Sequence, residues 1–232
     1  MKNYLITSVI ILFSFLICGC SSTTSDNVKT SGIYALFTIE SKYGHANVLA
    51  RASLQVGGIT GSYIKLVDED ELFCDETKLT MRDGGLGIIE YTAQLPKKNS
   101  GEKYVFKFKR KDEEHKVEVT QLKELRIIQP NQSQNLKISQ DLKIKWEPTS
   151  TEDIDINIDG ECIDPYSKIL SIDNGEYLIP TGTLKFDEDT DLNRCPVNIL
   201  IKRYASTNVP KEFEGGMTFS YSISEVNIQL ER

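Results

Sequence analysis

From Gly32 onward, apolar and polar positions alternate with a period of two along most of the chain. In the run from Asn47 to Val56, residues Val48, Ala50, Ala52, Leu54 and Val56 share one phase, and the other phase is mostly polar. Successive strand side chains point to opposite faces, so this pattern predicts a half-buried strand and not a helix. Ile33 to Glu40 is a second β-rich run, and Gly57-Gly58-Ile59-Thr60-Gly61 supplies a turn before Ser62 to Leu66. Further runs are Lys78 to Met81, Gly87 to Ala93, Lys103 to Lys109 and His115 to Val119. Breaks such as Asp83-Gly84-Gly85 and Lys97 to Gly101 separate them. About seven short strands with turn signals between them predict a β-sandwich over 32–124.

The pattern restarts after the stretch from Leu125 to Asn135, where Pro130 and a polar cluster break the chain, which places a domain boundary near Leu125 and a second β-sandwich over 125–232. Its strands are expected at Leu142 to Trp146, Ile154 to Asp159, Glu176 to Pro180, Val197 to Arg203 and Met217 to Leu230. Leu142, Ile144 and Trp146 share a face, so the single Trp is expected in the core, with carbohydrate stacking as the alternative. No stretch of the chain sustains a 3.6-residue stripe, and the fold class is all-β.

The N-terminus follows different rules. A short basic start, Met1-Lys2-Asn3, precedes an apolar run from Tyr4 to Cys18, which by charge, length and order is a secretory signal over 1–19. The run is shorter than the roughly 20 residues a spanning helix needs. Ser21 to Ser31 contains one apolar residue, Val28, and is expected to be a flexible tether of roughly 18 Å.

Two resemblances add to this reading. The segment Leu16-Ile17-Cys18-Gly19-Cys20 resembles the lipobox of bacterial lipoproteins, which implies cleavage before Cys20 and diacylation of its sulfur; a plain secreted protein is the alternative. Two or three acyl chains give stable anchoring where one is marginal. Ser21 is not the Asp that retains many such lipoproteins at the inner membrane, so the implied location is the outer membrane, with either face open. The Leu142-x-Ile144-x-Trp146 strand is accompanied by the acidic turn Thr149 to Asp153, by Gly175-x-Tyr177-x-Ile179-Pro180-x-Gly182 and by Glu214-Gly215-Gly216. Together they resemble Ig-like or fibronectin-like modules of bacterial envelope lipoproteins, and Tyr63-Ile64-x-Leu66 leading into Asp70-Glu71-Leu72 is similar to the domain often found before them. The implied architecture is two tandem Ig-like β-sandwiches behind a lipid anchor and tether. These motifs are structural, and no active site comes with them.

Composition narrows function mainly by exclusion. With 27 Lys and Arg against 34 Asp and Glu the net charge is −7, and removal of the signal makes it one unit more negative by taking Lys2. Nucleic acid is therefore not an expected partner. Export implies an oxidising compartment, where Cys74, Cys162 and Cys195 remain after the signal and the lipid site are set aside. Cys162 continues the phase of Ile154, Ile156 and Ile158, and Cys195 that of Val197, Ile199 and Ile201. The phase favours a Cys162–Cys195 disulfide over buried thiols. Cys74, beside Asp75 and Glu76, is expected to have a raised pKa and no nucleophilic role.

Asp155-x-Asn157-x-Asp159-Gly160 has the opening of a calcium loop, with Asp187, Asp189 and Asp191 as further oxygen donors. The twelfth position is Tyr166 instead of a bidentate Glu, and the intervening Ile residues read equally as a strand. The strand is the favoured reading, so no metal or other cofactor is expected beyond the lipid. His45 and His115 fall at turns entering strands, where solvated histidines are expected. Lys107-x-Lys109-Arg110-Lys111 is followed at once by Asp112-Glu113-Glu114 and reads as a charged hairpin tip. No nucleophile, metalloprotease or phosphate-loop motif is present, so an enzyme is not expected; a glycan-active hydrolase using a pair of carboxylates is the alternative. Two function classes remain: a binding or scaffold module for an envelope protein or glycan, and a periplasm-facing accessory subunit of an envelope assembly.

Overall fold

The computed structural model describes residues 22–187 and 192–232. Cys20, the signal residues, Asp189 and Asp191 lie outside them. The strands are β1 (Thr23–Thr24), β2 (Ile33–Lys42), β3 (Asn47–Val56), β4 (Ser62–Lys65), β5 (Glu71–Cys74), β6 (Thr77–Lys78), β7 (Thr80–Asp83), β8 (Ile89–Pro96), β9 (Lys103–Arg110) and β10 (Glu113–Thr120). They continue with β11 (Arg126–Gln129), β12 (Asn135–Lys137), β13 (Leu142–Glu147), β14 (Asp153–Asp159), β15 (Tyr166–Leu170), β16 (Glu176–Ile179), β17 (Arg194–Asn208) and β18 (Gly215–Glu231). Two short 3-10 turns complete the inventory; the described residues contain no α-helix and no helix long and apolar enough to cross a membrane.

The chain folds as two β-sandwiches with separate cores. In the first, β2, β3, β4, β7 and β8 face the sheet β10-β9-β5-β6, around Ile33, Phe37, Ile39, Leu54, Tyr104, Phe106 and Phe108. In the second, β14, β15, β17 and β18 face the sheet β11-β13-β16, around Ile144, Trp146, Ile154, Ile156, Ile199 and Ile228. Strict burial alternation in β2 and β14 is what the sequence period of two requires. Each fully buried large aliphatic residue contributes about 1.5–3 kcal/mol.

Two long strands join these sandwiches into one sheet. β18 has 17 residues, about 55 Å at the usual rise. It pairs with β17 from Asn208↔Met217 to Arg194↔Glu231. Its first half also pairs in parallel with β2, from Gly215↔Tyr34 to Ile223↔Lys42, and its second half pairs with β12. The tip of the β17–β18 hairpin therefore belongs to the first core, where Val209 and Phe213 pack beside Phe37 and Phe108. A simple succession of 32–124 and 125–232 does not contain this crossing.

The joint is also closed by polar contacts. The connecting segment lies on the inner face of β18, where the Ser222 and Ser224 hydroxyls accept hydrogen bonds from the Leu125 and Ile127 backbone N–H groups at 2.9 and 3.1 Å. Glu124 accepts from Lys97 and from the Gly44 N–H of the first sandwich at 2.7 and 3.0 Å. Arg203, whose side chain is fully buried, donates to the Lys123 and Pro148 carbonyls and pairs with buried Asp173 at 2.6 Å. Asp173 also accepts from the Trp146 indole at 2.7 Å. This network satisfies both charges in a place that excludes water.

The expected flexible tether is corrected over its described part. Thr23 and Thr24 pair in parallel with Ile64 and Lys65. Ser25 is fully buried, and its hydroxyl accepts from the Val67 N–H at 3.1 Å. Arg110 donates to the Ser25 and Val28 carbonyls at 2.7 Å each while paired with Asp70 at 3.2 Å. A polar segment is held here by hydrogen bonds, which hydrophobic patterning does not register.

Candidate functional site on the outer face of the shared sheet

The cross-strand register places side chains in rows on the outer face of the first sandwich. One row runs Tyr204, Tyr221, Glu40, Leu49, Gln94 across β17, β18, β2, β3 and β8. The next runs Ser206, Phe219, Thr38, Arg51, Thr92, Thr80. Five neighbouring strands give a face about 20–25 Å wide.

An aromatic strip occupies the β17–β18 side of this face. The Phe219 and Tyr221 rings are parallel within 3° with centroids 5.8 Å apart, and Tyr204 lies 6.4 Å from Tyr221. Lys202 sits over the Tyr221 ring at 5.3 Å and reaches Asp155 at 3.8 Å. Arg51 lies between Glu40 at 3.7 Å and Glu90 at 3.4 Å. All three rings are half-buried against their neighbours. Burial pushes the Tyr221 hydroxyl up, followed by the nearby Tyr204, Glu40 and Asp155; burial and then Asp153 do the same for Tyr204. Both phenols stay protonated at neutral pH and serve as hydrogen-bond donors. The arrangement offers apolar ring surface next to carboxylates, a guanidinium, an ammonium and hydroxyls. No pair of these groups has the shape of a nucleophile activated by a base.

The sequence-derived candidates are dispersed. Cys162 and Cys195 form a disulfide, with Cα atoms 5.9 Å apart, that ties the loop after β14 to the start of β17. Cys74 is buried in β5; burial first, and then the Asp75 carboxylate, pushes its thiol up to about 12. The direction is the expected one, but its main cause is the core and not the acidic neighbours. Asp155, Asn157 and Asp159 stand on the outer side of the regular strand β14, and among the described residues no three His, Cys, Asp or Glu side chains converge on a possible metal position. Asp187 lies beyond β16, in a segment whose backbone bonds to Cys162.

Trp146 is a core residue with 2% exposure. Lys107, Lys109 and Arg110 belong to β9, and Lys111 opens the β9–β10 turn; Lys107 pairs with Glu76 at 2.7 Å. His45 is exposed in the β2–β3 turn. His115 departs from expectation: it lies within β10 with its ring 5.9 Å from Phe213 and 6.3 Å from Phe108, packed under the β17–β18 tip instead of solvated. Sequence reading missed the aromatic strip, although Tyr204 extends the outer phase of Asn198, Leu200 and Lys202, and Phe219 and Tyr221 are themselves in step.

No protein-family model and no curated protein matches the chain. Among solved structures, titin Ig tandem domains align at 9% identity over 86% of this chain and 96% of that one, with a TM-score of 0.24. The fibronectin(III)-like modules of Clostridium thermocellum CbhA align at 11% identity over 86% and 93%, with a TM-score of 0.25. The Bacteroides ovatus mixed-linkage glucan utilization locus SGBP-B, in complex with a mixed-linkage heptasaccharide, aligns at 8% identity over 90% and 65%, with a TM-score of 0.22. Likenesses at this level assign no function.

Proposed function

We propose that this chain is a non-catalytic binding module, anchored to the outer membrane through acylated Cys20, and that it recognises a glycan of the cell envelope on the outer face of the shared sheet. The observation that carries the ligand class is the strip of Tyr204, Phe219 and Tyr221 bordered by Glu40, Arg51 and Lys202. Sugars present apolar C–H faces that pack on aromatic rings and hydroxyls that pair with charged side chains, and this face supplies both. Open flat geometry suits a chain of sugars better than a small enclosed ligand, which needs concave walls.

The test is a binding titration of the purified chain with soluble peptidoglycan fragments and purified envelope polysaccharides. One class should bind, and Phe219→Ala with Tyr221→Ala should weaken it by at least ten-fold, about 1.4 kcal/mol, without lowering the thermal midpoint of the first sandwich. Binding that survives both substitutions refutes the site. The anchor has its own test: mass spectrometry of the native protein should find Cys20 acylated at the mature N-terminus.

A second reading, docking of an envelope protein by strand addition, has one observation in its favour. β15 pairs only with β14 among the described residues, and its Ile169 is 61% exposed.

A further inference from the structure

The strand directions gather one set of turns at a single end of the first sandwich. β3 runs toward that end and β8 starts from it, because the two are antiparallel with Ala52 opposite Tyr91. The β3–β4 turn, Gly57 to Gly61, and the β7–β8 turn, Gly84 to Ile88, therefore both project there. The chain enters from the same end: β1 is parallel to β4 with Thr23 beside Ile64, two residues past the start of β4. Thr23 is three residues from Cys20, a reach of at most about 11 Å. The second sandwich stands at the opposite end, beyond the joint at Glu124 and Leu125.

Those two turns carry apolar side chains that no contact inside the chain explains. Leu86 is 86% exposed, the most exposed large hydrophobic residue among those described, and Ile59 and Ile88 are 63% and 39% exposed. Leu86 also holds a φ of +51° between Gly85 and Gly87, a conformation that a Leu side chain rarely adopts. An exposed Leu on strained backbone opposes both hydrophobic burial and backbone preference, so an outside partner is the physical reason for keeping it. The other side of the same end is charged, where Asp26, Asp68, Glu69, Asp112, Glu113 and Glu212 line two clefts together with Lys29, Arg110 and Lys111. The two apolar turns carry less charge: the β3–β4 turn has none, and beside the β7–β8 turn stand Arg82 and Asp83, whose carboxylate accepts the Gly85 N–H at 2.9 Å.

We infer that this corner is a membrane-contact site: Ile59, Leu86 and Ile88 enter the lipid interface beside the acylated Cys20 and hold the fused sandwiches upright, with the second one farthest from the bilayer. The inference rests on the anchor reading above and adds an orientation to it. One lipidated residue joined to a docked segment leaves little rotational freedom, and the apolar turns remove much of what is left. The acidic side of the end is kept away from anionic headgroups by the same orientation.

The experiment uses the full native chain, with its own lipid, reconstituted in phosphatidylcholine vesicles. Ile59→Cys, Leu86→Cys and, as the distal control, Ile169→Cys are each labelled with an environment-sensitive fluorophore; Cys74 is buried and does not compete. Brominated lipid should quench the labels at 59 and 86 by at least half and leave the label at 169 unchanged. The mass of Cys20 is measured on the same samples. Acylated Cys20 with unquenched labels at 59 and 86, or with equal quenching at 169, overturns the contact site while leaving the anchor standing. An unacylated Cys20 overturns the anchor, and the contact site with it.

Discussion

Asp173→Ala attacks the joint where its cost can be estimated. The Asp173 and Arg203 side chains are both fully buried, with N and O 2.6 Å apart. Asp173 also accepts the Trp146 indole N–H and the Gly175 backbone N–H at 2.7 and 3.2 Å. Removing the carboxylate leaves a guanidinium that cannot give up its proton in a site without water, which costs about 3–5 kcal/mol. The orphaned indole N–H raises that figure by about 1 kcal/mol or more, although the two losses are not additive. With a urea m-value of about 2 kcal/mol/M, the unfolding midpoint should fall by about 2 M. Urea denaturation followed by fluorescence of Trp146, the single Trp in the chain, measures this from within the network. Asp173→Leu combined with Arg203→Met removes both charges and should recover most of the loss, because replacing a buried pair by apolar groups is close to neutral. A loss under about 1 kcal/mol for Asp173→Ala, or a double variant no more stable than the single one, would refute the network as described.

The remaining predictions address single elements. Cys162→Ala with Cys195→Ala opens a cross-link spanning 33 residues, so stability should fall by about 3–4 kcal/mol in the chain-entropy model, read from denaturation midpoints with and without reductant. Cys74 keeps its proton up to about 12 in the fold, while an unfolded Cys ionises near about 8.5. Between those values the folded state binds more protons, so stability should decline with rising pH by up to about 1.4 kcal/mol per unit; stability curves at pH 8 and 10 should show that decline for the native chain and a smaller one for Cys74→Ala. Arg110→Ala removes the hydrogen bonds to the Ser25 and Val28 carbonyls, and amide exchange in residues 23–31 should accelerate by at least ten-fold while β9 stays protected.

Period-two patterning located the strands that have one apolar face, such as β2, β3, β13 and β14, and the phase of Cys162 and Cys195 indicated their disulfide. Contacts made by polar groups were not legible. The inner face of β18 changes from Thr218, Ser220, Ser222 and Ser224 to Val226, Ile228 and Leu230, so its first half carries its large apolar side chains, Met217, Phe219 and Tyr221, on the opposite phase, and this hides the crossing into the first sandwich. β11 was read as a break because Pro130 and its polar neighbours follow directly, and Arg126 to Gln129 alternates too briefly to stand out. Arg203 is in step with Ile199 and Ile201, so its charge lies in the core phase, which hydrophobic patterning did not register; nothing in the sequence identifies Asp173 as its partner. The aromatic strip forms only when β17 and β18 pair in this register, so it is a property of the fold and not of any one segment.

The central claim is that β17 and β18, with the contacts of Glu124, Leu125, Ile127 and Arg203, make the two sandwiches one rigid body. Residual dipolar couplings measured on the folded chain test this most directly. A single alignment tensor should fit the amides of β2, β3 and β9 together with those of β13 and β14. Separate tensors for the two sets, each fitting its own sandwich well, would contradict the account.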